Sequence, residues 1–106
     1  MVKERSGDPM YALAIVRYRK PLEEVLPFLE AHRTYLRGLQ AKGLLLASGP
    51  LEPRNGGALL LRVADADSPR ELDAIRDGDP FTVAGVAQYE LLPWHPVIGQ
   101  EGLDRL

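Results

Sequence analysis

Apolar residues crowd the segment from Met10 to Arg19, which is rich in Val, Ile and Tyr and alternates as a strand does. Both alternating sets are mostly apolar: Tyr11, Leu13, Ile15 and Arg17 on one side, and Met10, Ala12, Ala14, Val16 and Tyr18 on the other. The period then changes. Leu22, Val25, Leu26, Leu29, His32, Leu36 and Leu39 recur at helical spacing. Pro27 cannot sit deep in a regular helix, because it lacks an N–H and crowds the preceding turn. The spacing therefore predicts a short turn over 21–26 and a main helix with Pro27 in its first turn, stopped by a left-handed Gly43.

Leu44 to Ser48 reads as a second strand ended by a Ser48-Gly49-Pro50 corner. Asn55-Gly56 is a hairpin dipeptide leading to a third strand, Ala58 to Val63. Ser68-Pro69-Arg70-Glu71 has the form of an N-cap, a first-position proline and a capping-box glutamate. The helix behind it turns Leu72 and Ile75 inward and ends at Gly78. Asp79-Pro80 repeats the cap-plus-proline pattern before a short turn, Phe81 to Ala84. Val86 to Leu92 is the fourth strand, halted at Pro93-Trp94-His95-Pro96. Residues 1–9 and 97–106 read as tails flanking one domain over 10–96.

The order βαββαβ predicts an α+β, ferredoxin-like antiparallel sheet with two main helices on one face. Two helices cover one face only, yet the strands are apolar on both. A second copy is the simplest cover, and a homodimer is expected.

Composition narrows the classes. The chain has 106 residues, a formal charge of -2 and no cysteine. That leaves no disulfide, thiolate metal site or cysteine nucleophile, and no basic excess for nucleic acid. No apolar run approaches the roughly 20 residues that span a bilayer, and the N-terminus does not read as a signal peptide, so a cytoplasmic protein without membrane partners is expected.

Few residues offer chemistry. His32, on an inward helix stripe, is either a satisfied core histidine or a proton carrier near neutral pH. A proton carrier gains from a carboxylate on its far ring nitrogen. Asp79 is the best candidate, although capping alone also explains it. Ser48, Gly49 and Pro50 are either a turn or a corner whose hydroxyl and backbone N–H groups hold a polar group. A glycine–x–Ser–x–glycine frame is absent, which weakens a Ser–His–Asp hydrolase. Phe81, Tyr35 and Trp94 are candidate aromatic walls, with Trp94 at a pocket or dimer rim. Arg33 and Arg37 read as a solvated edge rather than an anion site. Two histidines without metal-type spacing argue against a metal.

With these residues laid out, the chain resembles the YCII-related (YciI-like) family. The carrying features are the histidine in AHRTYLRGL, the GLLLASGPL strand and corner, the DPFTVAG segment and the closing YELLPW. The resemblance implies a dimeric α/β-barrel fold, and a pairing of His32 with Asp79 in a site lined by Ser48 and Gly49-Pro50. It further implies lyase, isomerase or dehalogenase chemistry on a small ring compound. The expectation is a small-molecule enzyme doing cofactor-free acid–base chemistry; the alternative is a non-catalytic ligand-binding or accessory dimer.

Overall fold

The computed structural model describes residues 9–64 and 68–106. Strand β1 (Pro9–Tyr18) runs through the sheet interior, pairing antiparallel with β3 (Gly56–Ala64) on one side and β4 (Ala87–Trp94) on the other. Strand β2 (Leu45–Pro50) joins the outer side of β3, giving a four-stranded order β2-β3-β1-β4. Between β1 and β2 come α1 (Leu22–Val25), a 3-10 turn (Leu26–Phe28) and α2 (Leu29–Ala41); between β3 and β4 come α3 (Ser68–Gly78) and α4 (Pro80–Val83). This is the α+β ferredoxin-like plan, with helices packed on one sheet face.

The register explains the core. Ala12 lies opposite Leu61, and Ala14 sits between Leu59 and Leu91, so small residues of the inner strand are flanked by large ones. Leu36 and Leu39 of α2, and Leu72 and Ile75 of α3, close over this layer, and all are buried. Each such Leu or Ile contributes about 1.5–3 kcal/mol on full burial. The α2 stop is a left-handed Gly43 (φ 79°). There the Leu44 N–H reaches the Leu39 carbonyl at 2.9 Å, and the Gly43 N–H reaches that of Gln40 at 3.0 Å, satisfying the last open carbonyls. Pro27 falls in the 3-10 turn, so α2 proper begins two residues later than expected for its first turn.

Several boundaries differ from expectation. Gly49 and Pro50 are no corner: they stay in β2, opposite Ala58 and Gly57. An edge strand tolerates a proline because one of its sides makes no ladder bonds. Pro93 and Trp94 likewise remain in β4, the other edge, rather than halting it. Gly56 is not the left-handed residue of a tight hairpin. It pairs with Arg17, and a Cβ there would stand 1.8 Å from the Val16 carbonyl oxygen, so glycine permits close strand approach. Ser68 already lies inside α3. Ser68 is thus a helical residue rather than the expected cap before the helix, and the residue preceding it falls outside the described residues.

The C-terminal residues form a short helix, α5 (Gln100–Asp104), which lies over one end of the other sheet face. Tyr11 donates to Asp104 Oδ1 at 2.5 Å, and Arg62 Nη1 to the Leu103 carbonyl at 3.0 Å. These anchors bury Tyr11, which alternation places on the side away from α2 and α3.

Candidate active site

The site forms where α3 gives way to α4. Asp79 leaves the helix in an extended conformation (φ -71°, ψ 128°) and caps α4, its Oδ1 accepting from the Phe81 N–H at 2.8 Å. The same carboxylate meets α2: His32 Nδ1 lies 2.9 Å from each of its oxygens. Tyr89, on β4, donates its hydroxyl to Oδ2. Capping and pairing with His32 are therefore both true of Asp79, which is wholly buried. A carboxylate that only accepts suits these three donors, and it orients His32 with the Nδ1 proton inward. Both contacts to Asp79 run through Nδ1, which leaves Nε2 outside the pair.

The ring is also held from behind. Phe81 stacks on it, with centroids 3.9 Å apart and planes 3° apart, while Tyr18 meets Phe81 edge-on at 5.9 Å. His32 is 12% exposed at its side chain and lines a cavity of about 240 Å³ between α2 and the sheet. Val16, Tyr18, Leu29, Leu36 and Leu59 form the apolar wall; Ser48, Gly49, Pro50 and Arg33 complete the lining with Gly57 and Ala58.

Ser48 reaches this cavity through a β-bulge. The pairing shifts between Leu45 and Ala47, so that Leu45 lies opposite Leu61 and Ser48 opposite Leu59. Leu59 and Leu61 share the helix-facing side, so the extra residue turns Ser48 to that side too, where unbroken alternation would have pointed it away.

Burial, and next the Asp79 charge, push the Tyr89 hydroxyl far above its ordinary range, keeping it a donor. A tyrosine in the unfolded chain ionises near 10.0, whereas Tyr89 in the folded protein keeps its proton. The folded state then binds more protons, and stability falls as pH rises past that value. Tyr89→Phe is expected to flatten the stability curve above pH 10 by up to about 1.4 kcal/mol per pH unit. Part of the slope persists, because burial also raises Tyr11 and Tyr35. Urea unfolding at stepped alkaline pH measures this, and identical slopes in mutant and wild type would contradict it.

The proposed aromatic walls are distributed differently. Phe81 is almost completely buried and backs the imidazole instead of lining the cavity. Tyr35 points to α3, its hydroxyl donating to the Ile75 carbonyl at 2.8 Å. A Cβ on Gly78 would lie 2.7 Å from that hydroxyl, so Tyr35 packs the helix pair. Trp94 is half-exposed and sits opposite Tyr11 on the other sheet face, away from His32. Alternation along β4 separates it from Tyr89 by an odd step, which forces opposite sides. Tyr18, Tyr89 and Arg33 belong to the site in addition to the residues that the sequence nominates. The signal for Tyr89 was available only as a strand position on the helix-facing side. Among the described residues, no group of three or more His, Asp or Glu side chains converges as a metal site.

This architecture defines a ferredoxin-like α+β protein with a buried His–carboxylate pair at the edge of a cavity. The chain belongs to the YCII-related family, whose domain model matches residues 10–95. A solved structure similar to it is 5-chloro-2-hydroxyhydroquinone dehydrochlorinase (TftG) from Burkholderia phenoliruptrix AC1100, in complex with 2,5-dihydroxybenzoquinone. The two superpose with a TM-score of 0.69 at 24% identity, covering 83% of this chain and 96% of that one. No curated protein sequence matches. No helix among the described residues is long and apolar enough to cross a membrane.

Proposed function

We propose that this protein is a small-molecule enzyme in which His32 moves a proton at Nε2 and Asp79 holds the ring. The carrying observation is the contact of Nδ1 with both oxygens of a wholly buried carboxylate, on a ring that lines a cavity. A fixed tautomer with one nitrogen left over is what proton abstraction next to a carbonyl or leaving group requires. The Ser48 hydroxyl and the neighbouring backbone hold a polar substituent, and the apolar wall takes a ring. The neighbouring fold belongs to a dehydrochlorinase, so elimination is the reaction to try first: Nε2 takes the proton, a double bond forms and chloride leaves with its electron pair.

Chloride release from 5-chloro-2-hydroxyhydroquinone and related halogenated or enolisable ring compounds tests the reading. Turnover is expected in the wild type, and a loss of about 10²–10⁴-fold in His32→Ala. Binding across that panel without turnover would replace the enzyme with a non-catalytic ligand-binding protein.

We further propose that two copies pack by the sheet face that α2 and α3 leave uncovered. On that face α5 covers only the end around Tyr11 and Arg62, while Leu92 and Trp94 are each 40% exposed and Leu13, Ile15 and Leu60 are part-buried. A row of this kind is unusual on a monomer. Sedimentation at micromolar concentration is expected to give a dimer; a monomer there removes the proposal.

A further inference from the structure

We propose that Arg33 makes this cavity selective for small organic acids, receiving a ligand carboxylate while the ligand's flat apolar body lies beside His32. The inference rests on the reading of the His32 cavity as a substrate site, and it names the substrate class. Arg33 follows His32 on α2 and lines the same cavity. It also lines a second cavity of about 210 Å³, together with Leu36, Arg37, Gln40 and Ser48. Arg33, Leu36 and Ser48 are common to both, so the two hollows adjoin in the groove between α2 and the edge strand β2.

The charge in this groove is one-sided. Its lining includes Arg33 and Arg37 but no Asp or Glu, in a chain that carries 15 acidic against 13 basic residues. Arg33 has little competing for it. Its ion-pair partner among the described residues is Glu30, 3.7 Å away with a side chain 80% exposed. A long pair in water contributes little, so the guanidinium is recruited by a ligand at small cost. A guanidinium presents two parallel N–H donors that match a carboxylate, and at the mouth of a partly apolar cavity that match is stronger than in bulk water. Val16, Leu29 and Leu59 offer the ring a dry wall, and the volume suits a single substituted ring rather than a fused system. Arg37, one turn further along α2, adds attraction for the approaching anion without touching the ring.

The test uses two isosteric pairs, benzoate with benzamide and cinnamate with cinnamamide. Each is titrated into the full chain while the His32 ring resonances are followed by NMR. The acids are expected to bind at least about tenfold more tightly than their amides and to weaken as salt rises. Arg33→Ala is expected to erase the preference, Arg33→Lys to keep part of it, and Arg37→Ala to reduce it by only about two- to threefold. Arg33 is half-exposed, so these variants are expected to fold. Equal binding of acid and amide, a preference that survives Arg33→Ala, or no acid binding below about 10 mM each overturns the proposal. His32→Gln, with binding read by calorimetry in place of the ring resonances, separates this claim from the catalytic one: acid preference is expected to persist while turnover is lost. Turnover without acid preference sinks the role of Arg33 alone; acid preference without turnover sinks the acid–base reading alone.

Discussion

Asp79→Asn is expected to lower turnover by about 10²–10⁴-fold, at a stability cost of only about 1–3 kcal/mol. The substitution keeps the shape and one oxygen, so the cap on the Phe81 N–H survives. The second oxygen becomes an NH2, a donor facing His32 Nδ1 and the Tyr89 hydroxyl. Tyr89 adapts by rotating its hydroxyl to accept. The Nδ1 proton of His32 is left with Oδ1 alone, shared with the Phe81 N–H, and the full negative charge that stabilises an imidazolium formed during proton transfer is gone. Capping alone predicts a nearly silent change, because Asn caps about as well as Asp. Asp79→Ala removes the acceptor from all three donors and is expected to cost roughly 3–5 kcal/mol, enough to obscure any effect on chemistry. Steady-state kinetics, urea unfolding and the imidazole nitrogen shifts of the Asn variant measure the separate consequences. Full activity would remove Asp79 from the mechanism.

Phe81→Ala is expected to destabilise the fold by about 3–5 kcal/mol, the largest effect expected of a single apolar truncation here. Phe81 is among the largest fully buried side chains, and it supports the imidazole on one face and Tyr18 at its edge. Truncation opens a void under His32 that the surrounding strands cannot collapse to fill. Phe81→Leu separates packing from orientation. It restores most of the volume and is expected to cost roughly 1–2 kcal/mol. It still loses the parallel plane that holds the ring, so activity falls further than stability. Paired urea midpoints and turnover rates decide the matter. A Phe81→Ala protein within about 1 kcal/mol of wild type would mean that this ring is not the packing centre described.

Much of the architecture was legible before any coordinates, and for a local reason. The Gly43 stop, the proline turn before α2 and the Asp79-Pro80 cap are each decided by backbone groups a few residues apart. The apolar residues on both sides of β1 declared a sheet face that two helices would leave uncovered. His32 and Asp79 stood out as residue types that can exchange and hold a proton, although 47 positions separate them. What the linear order left undecided depends on hydrogen bonds made between elements. Only the sheet register shows the bulge that turns Ser48 to the cavity, and only antiparallel pairing keeps Gly49, Pro50, Pro93 and Trp94 within edge strands. The docking of α3 against α2 draws Tyr35 away to the Ile75 carbonyl, and the β4 register delivers Tyr89 to Asp79. Side-chain identity thus determined which groups were able to do chemistry. The tertiary structure determined which of them share one buried carboxylate, because satisfying that charge away from water takes donors from three separate elements at once.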